Sequence, residues 1–133
     1  MIVEDSTSFR QIVKNSLQDQ FPLMDIIEAA DGVEAMQNFD SHPPNLIFMD
    51  IHLPGKNGLE LTSKIKAVYP GVIIIILTSH DSPEYREAAF RYKANYFLSK
   101  GSIATAEIFK LVKSILFEKG FNEDGSDNWN VDT

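Results

Sequence analysis

The sequence predicts an α/β fold, with three layers (α/β/α) built around a five-stranded parallel sheet that carries five helices. Three observations predict it. Five short apolar runs alternate with five segments of helical period, the rhythm of a parallel sheet whose crossover helices cover both faces. The fourth run, residues 72–77, reads Val-Ile-Ile-Ile-Ile-Leu without a polar break, the pattern of a strand buried on both sides. At 133 residues the chain is long enough for one core and too short for two.

The predicted strands are residues 1–3, 26–29, 46–49, 72–77 and 96–98, with the third and fourth central. Only three residues precede Glu4, fewer than the usual five or six of a strand, so the start of the chain reads as trimmed. Between the strands, helical spacing puts Phe9, Ile12, Val13 and Leu17 on one face, then Val33, Met36 and Phe39, then Leu61, Ile65 and Val68. Tyr85, Ala88, Ala89 and Tyr92 make a fourth stripe, and Ile108, Leu111, Val112, Ile115 and Leu116 a fifth, the strongest. All five stripes read as core. Asp31 with Glu34 and Asn57 with Glu60 resemble capping boxes, and Ser82 before Pro83 reads as an N-cap followed by a proline in the first helical position. Residues 54–58, Pro-Gly-Lys-Asn-Gly, read as a turn-rich loop. One domain over residues 1–119 is expected, followed by an acidic, apolar-poor tail over 120–133 that reads as disordered or as the start of a linker, with Trp129 either docking on the domain or belonging to that linker.

Composition narrows the function classes. A formal net charge of -7 repels polyanions, which argues against direct nucleic-acid binding by this segment. The absence of cysteine removes disulfides, thiolate nucleophiles and cysteine-ligated metal sites together. The longest apolar run falls far short of the roughly 20 residues of a membrane-spanning helix. No basic and apolar leader opens the chain. The expectation is a cytoplasmic protein with no membrane partner.

In open parallel sheets ligands sit beyond the carboxyl ends of the strands, so the residues that end each run carry the information. Strand one ends in Glu4-Asp5, strand three in Asp50, strand four in Thr78-Ser79 and strand five in Ser99-Lys100. Carboxylates about 4 Å apart repel by about 4 kcal/mol at an effective dielectric of 20, so a cation is expected among them. All-oxygen donors suit Mg²⁺ (or Mn²⁺), which commonly bridges carboxylates to a phosphoryl oxygen. A metal, the Lys100 ammonium and the Thr78 hydroxyl together can stabilise three phosphoryl oxygens during transfer.

Four segments, Val3-Glu4-Asp5-Ser6, the stretch from Phe48-Met49-Asp50 to Asn57-Gly58, Leu77-Thr78-Ser79 and Leu98-Ser99-Lys100, stand in the order of the receiver motifs of two-component response regulators, which the chain resembles over roughly residues 1–119. The resemblance implies a flavodoxin-like strand order, 2-1-3-4-5, the order of chemotaxis receivers. It implies that Asp50 is the phosphoacceptor, Asp5 a direct metal ligand, Glu4 an acid acting through metal-bound water, and the His52 backbone carbonyl a further ligand. Lys100 would pair with Asp50 and then with the phosphoryl group, Thr78 would swing toward it, and Phe97 holds the switch-aromatic position. The implied donor is a phosphohistidine on a sensor histidine kinase or a histidine phosphotransfer protein, and the receiver itself later hydrolyses the acyl phosphate. Phosphorylation would rearrange the fourth helix, fifth strand and fifth helix, the implied surface for an effector, an output domain or a second copy.

Two departures stand out. Glu4 replaces the commoner Asp, and Gly101 follows Lys100 where many receivers carry a cis proline, so that turn must be built differently; receivers attached to helix-turn-helix output domains often lack this proline too. His52 and His80 each lie two residues beyond a motif residue, where side chains tune phosphorylation and hydrolysis; ring ligation of a metal is the weaker alternative, and His42 beside Pro43 and Pro44 reads as loop. A phosphorylation-independent receiver acting as an interaction module is the main rival reading. A Mg²⁺-dependent aspartyl-phosphate hydrolase is disfavoured because His52 stands where its second acid would be. A flavin binder is disfavoured by the acid in Asp5-Ser6-Thr7-Ser8, where a phosphate would need an open anion nest.

Overall fold

A computed structural model of the chain describes residues 1–101 and 105–120. Nearly all of the expected tail, with Trp129, lies outside the described residues.

The elements alternate as expected: β1 (Ile2–Val3), α1 (Thr7–Gln20), β2 (Glu28–Ala29), α2 (Gly32–Ser41), β3 (Leu46–Met49), β4 (His52–Leu53), β5 (Lys56–Asn57), α3 (Gly58–Val68), β6 (Ile73–Thr78), α4 (Pro83–Arg91), β7 (Tyr96–Ser99) and α5 (Thr105–Glu118). Five of the strands form one parallel sheet in the order β2-β1-β3-β6-β7, which is 2-1-3-4-5 when only its own strands are counted. Strand β3 is central, flanked by β1 and β6, because its apolar residues and those of β6 tolerate burial on both faces.

Strand alternation divides the core into two halves. Val3, Ile47, Met49, Ile74, Ile76 and Phe97 point to one face and pack with Ala35, Phe39, Leu61, Ile65 and Ala89 from α2, α3 and α4. Ile2, Phe48, Ile75 and Leu77 point to the other, against Val13 and Leu17 of α1 and Ile108, Val112, Ile115 and Leu116 of α5. The margins of the predicted stripes depart from expectation. Ile12, Val33, Val68 and Tyr92 are exposed, because each lies at the border of its helix's apolar face and turns past the sheet. Tyr96 is half-buried on the α1 and α5 side, opposite Phe97.

The caps follow local chemistry. Asp31 accepts from the Glu34 amide at 2.8 Å, and Glu34 reaches back to the Ala30 amide at 3.1 Å. Asn57 caps α3 one residue earlier than a capping box would, accepting from Leu59 N at 2.7 Å. Ser82 caps α4, with Pro83 opening the helix. Ser6 also caps α1, its side chain accepting from Phe9 N. Helix α4 ends in a Schellman motif, with Lys93 N bonded to Phe90 O and Ala94 N to Ala89 O, both at 3.0 Å. The left-handed residue that this motif requires is Lys93, at φ 79°.

The loop expected over 54–58 is instead part of a small antiparallel ribbon in which His52 pairs with Asn57 and Leu53 with Lys56. Pro54 and Gly55 form its two-residue turn, and Gly55 at φ 76° takes the position that favours glycine. Among the described residues there is no cis peptide bond, and no helix is long and apolar enough to cross a membrane.

Candidate functional site

Parallel register lines up the strand ends. Val3 stands beside Met49, and Asp50 N bonds to Val3 O at 3.1 Å, so Glu4 and Asp50 emerge together just beyond the sheet. Register also pairs Thr78 with Ser99, and Lys100 N bonds to Thr78 O at 2.9 Å, which fixes the root of the lysine beside them.

The side chains converge as the strand-end argument expects. Lys100 Nζ donates to Glu4 Oε1 and, at 3.3 Å, to Asp50 Oδ2. Ligand oxygens of Glu4, Asp5 and Asp50 all lie within 4.8 Å of one another. Glu4 and Asp50 are buried and Asp5 is exposed, so the trio has a dry floor and a wet rim. Thr78 is fully buried, and its Oγ1 accepts from His80 N at 3.2 Å, which orders the loop after β6. His52 lies in the ribbon with its side chain exposed. Phe97 is 5% exposed and packs inward, with the Arg86 guanidinium of α4 5.2 Å from its ring centre.

The electrostatics single out Glu4. Burial pushes its carboxyl up to about 7; Lys100 opposes that rise and Asp50 adds to it. Glu4 Oε1 is taken by Lys100, whereas Glu4 Oε2 is buried with no hydrogen-bond partner. A buried carboxylate oxygen without a partner is costly, and a bound cation or its water would satisfy it. The donor set is all oxygen, which fits a hard divalent ion such as Mg²⁺ better than a softer one.

Several supporting contacts have no signature in the sequence. Arg10 Nη1 donates to Glu4 O at 2.6 Å, while Arg10 Nε and Lys14 Nζ hold Glu28 at 3.2 and 2.9 Å, tying α1 to both β1 and β2. The ring of Phe9 lies 4.5 Å from Lys100 Nζ and covers the ammonium. A Cβ added to Gly58 would stand 1.9 Å from the Asp50 carbonyl oxygen, so only glycine lets α3 begin against this backbone. No short-range pattern could have revealed these contacts, because each joins segments that meet only in the folded chain.

Comparison with known proteins agrees with this geometry. The family model for the response regulator receiver domain matches residues 1–113. The chemotaxis protein CheY of Halobacterium salinarum is 34% identical over 100 residues, which are 75% of this chain and 82% of that protein. The oxygen regulatory protein NreC of Staphylococcus carnosus is 38% identical over 97 residues, 72% of this chain but 43% of that protein, so this chain spans under half the length of some relatives. Among solved structures, a CheY-like response regulator receiver domain protein from Methanospirillum hungatei superposes with a TM-score of 0.80 at 26% identity, covering 89% of this chain and 92% of that one. A LuxR-family two-component response regulator from an Aurantimonas species gives 0.78 at 29% identity, covering 89% and 84%. With its motifs gathered at one sheet edge and the family model matching most of its length, the chain belongs to the response regulator receiver domain family.

Proposed function

We propose that this receiver domain is a phosphorylation-dependent switch that accepts a phosphoryl group on Asp50. The observation that carries the reading is Lys100 Nζ lying between Glu4 and Asp50, with the Asp5 carboxylate completing an acidic rim. In the transfer, a carboxylate oxygen of Asp50 attacks the phosphorus of a phosphohistidine, the P–N bond breaks, and the freed imidazole leaves with the bonding pair. Lys100 neutralises charge that builds on the phosphoryl oxygens, and the Thr78 hydroxyl turns from His80 N toward one of them. Asp5, Asp50, the His52 carbonyl and, through water, Glu4 would hold Mg²⁺ or Mn²⁺, which supplies further neutralisation of phosphoryl charge when bound. The aspartyl phosphate is later hydrolysed within the same domain, so no external substrate is turned over.

The added charge alters the pull on Thr78 and, through β7, on Phe97 and its Arg86 lid. The readout surface is then α4, β7 and α5, which would meet an effector, an output domain or a second copy. The donor partner is a sensor histidine kinase or a histidine phosphotransfer protein. Residues 1–119 carry this function. The site of action is cytoplasmic, and the absence of direct nucleic-acid contact by this segment accords with its charge.

The test is incubation with a small phosphodonor and Mg²⁺, read by intact mass. One phosphoryl group per chain is expected, lost in Asp50→Asn. Equal labelling of that variant would remove Asp50 from the role, and no labelling of the parent chain would favour a receiver that binds partners without phosphorylation.

A further inference from the structure

Two of the chain's three histidines meet ring to ring. His52 comes from β4 and His80 from the loop after β6, and their ring centres lie 3.9 Å apart with planes inclined by 48°. Both side chains are exposed, and among the described residues neither ring makes a hydrogen bond. Tyr85 of α4, half-buried in the core, stands 5.6 Å from one ring and 5.7 Å from the other and backs the pair from the protein side.

We propose that His52 and His80 form a second metal site, distinct from the carboxylates, that takes a late first-row transition ion such as Zn²⁺ through one nitrogen of each imidazole. Tetrahedral bonds of about 2.0–2.1 Å place two ligating nitrogens about 3.3 Å apart. Two imidazoles on one such ion have ring centres about 5 Å apart, so rings whose centres now lie 3.9 Å apart need separate by only about 1 Å, and both side chains are exposed. Imidazole selects Zn²⁺, Ni²⁺ or Cu²⁺ over Mg²⁺, whereas the all-oxygen trio of Glu4, Asp5 and Asp50 has the opposite preference. Water fills the remaining coordination positions, as suits an ion bound at the surface. Each histidine follows a pocket residue by two positions, so a bound ion would add positive charge at the entrance to the acidic site.

The test is calorimetric titration of the full chain with Zn²⁺ in saturating Mg²⁺, repeated for His52→Asn, His80→Asn and Asp5→Asn. The asparagine at 52 keeps the backbone carbonyl. Removing even a residue that only orients a ligand costs about 10–100-fold in metal affinity, so each histidine variant is expected to weaken Zn²⁺ by at least about tenfold. Asp5→Asn should change Zn²⁺ affinity by less than either histidine variant does. Copper in place of zinc should show hyperfine coupling to two imidazole nitrogens in its paramagnetic resonance spectrum. Zn²⁺ binding that survives both histidine variants and is lost in Asp5→Asn, or no binding by the parent chain, overturns the proposal. Neither result depends on whether Asp50 accepts a phosphoryl group.

Discussion

Gly58 and Asp50 meet backbone to backbone: a Cβ on residue 58 would stand 1.9 Å from the Asp50 carbonyl oxygen and 2.9 Å from its carbonyl carbon. No side-chain rotation relieves that overlap, since both offending atoms are main chain. Ordinarily an alanine in place of a helical glycine stabilises by up to about 1 kcal/mol. Here Gly58→Ala is expected to destabilise by about 1–3 kcal/mol, because α3 or the Asp50 turn must shift. Urea unfolding measures the difference, and the same variant should phosphorylate more slowly because Asp50 moves with its carbonyl. A variant as stable as the parent would show that the turn accommodates a methyl group after all.

Lys100 is the next lever. It donates to Glu4 Oε1 and Asp50 Oδ2 and is covered by Phe9. Lys100→Met keeps the chain length and the ring contact while removing the charge. Phosphorylation of Asp50 from a small donor is expected to slow about 100-fold, the scale of losing one preorganised charge-stabilising donor. Mg²⁺ affinity should hold or rise, because the ion no longer competes with an ammonium for the same carboxylates. A joint loss of phosphorylation and Mg²⁺ binding would instead mean that Lys100 shapes the pocket.

Away from the site, Glu28 supplies a pH-dependent tie between α1 and β2. Hydrogen bonding to Lys14, and less to Arg10, holds its carboxyl below the usual range despite an opposing effect of burial. A lowered folded-state pKa means that the unfolded chain takes up the proton first as pH falls. The contribution is therefore complete above the ordinary glutamate pKa of about 4.3 and fades as pH drops through the lower, folded value. Glu28→Gln should cost about 0.5–1 kcal/mol at pH 7, and the gap between parent and variant should narrow as the pH is lowered below the ordinary glutamate range. A gap unchanged over that range, by denaturant unfolding, would rule out ionisation as its source.

The layout of the site could be read from the sequence because a parallel sheet aligns strand ends. Once residues 46–49 and 72–77 were strands, Asp50 and Thr78 had to share an edge, and Glu4 and Lys100 followed by the same rule. What periodicity could not supply was side-chain reach. The longer Glu4 side chain carries one oxygen to Lys100 and leaves the other buried without a partner, a consequence of length and burial with no signature in spacing. The β4–β5 ribbon also escaped, since two-residue strands are too short to alternate. His52 and His80 were both noted as site neighbours, yet their ring contact joins residues 28 apart in the chain and exists only once β6 has taken its place beside β3. Ile12 and Val33 read as core in the sequence and are exposed in the fold, because stripe counting cannot tell the centre of an apolar face from its margin.

Lys93 offers the last prediction, and it runs toward stability. The Schellman motif that ends α4 needs a left-handed residue, and Lys93 supplies it at φ 79°. A residue with a Cβ is strained in that region by about 1–2 kcal/mol, whereas glycine is not. Against this gain, glycine loses more backbone freedom on folding, so the net benefit is smaller than the strain itself. Lys93→Gly is expected to stabilise by about 0.5–1 kcal/mol, which for a domain of this size raises Tm by a few degrees. The two cap bonds, from Lys93 N to Phe90 O and from Ala94 N to Ala89 O, use backbone amides that the substitution leaves in place, so the motif itself should persist. Thermal unfolding of the two proteins side by side decides the point: a lower Tm for the variant would mean that the lysine side chain contributes more at this position than its backbone strain costs.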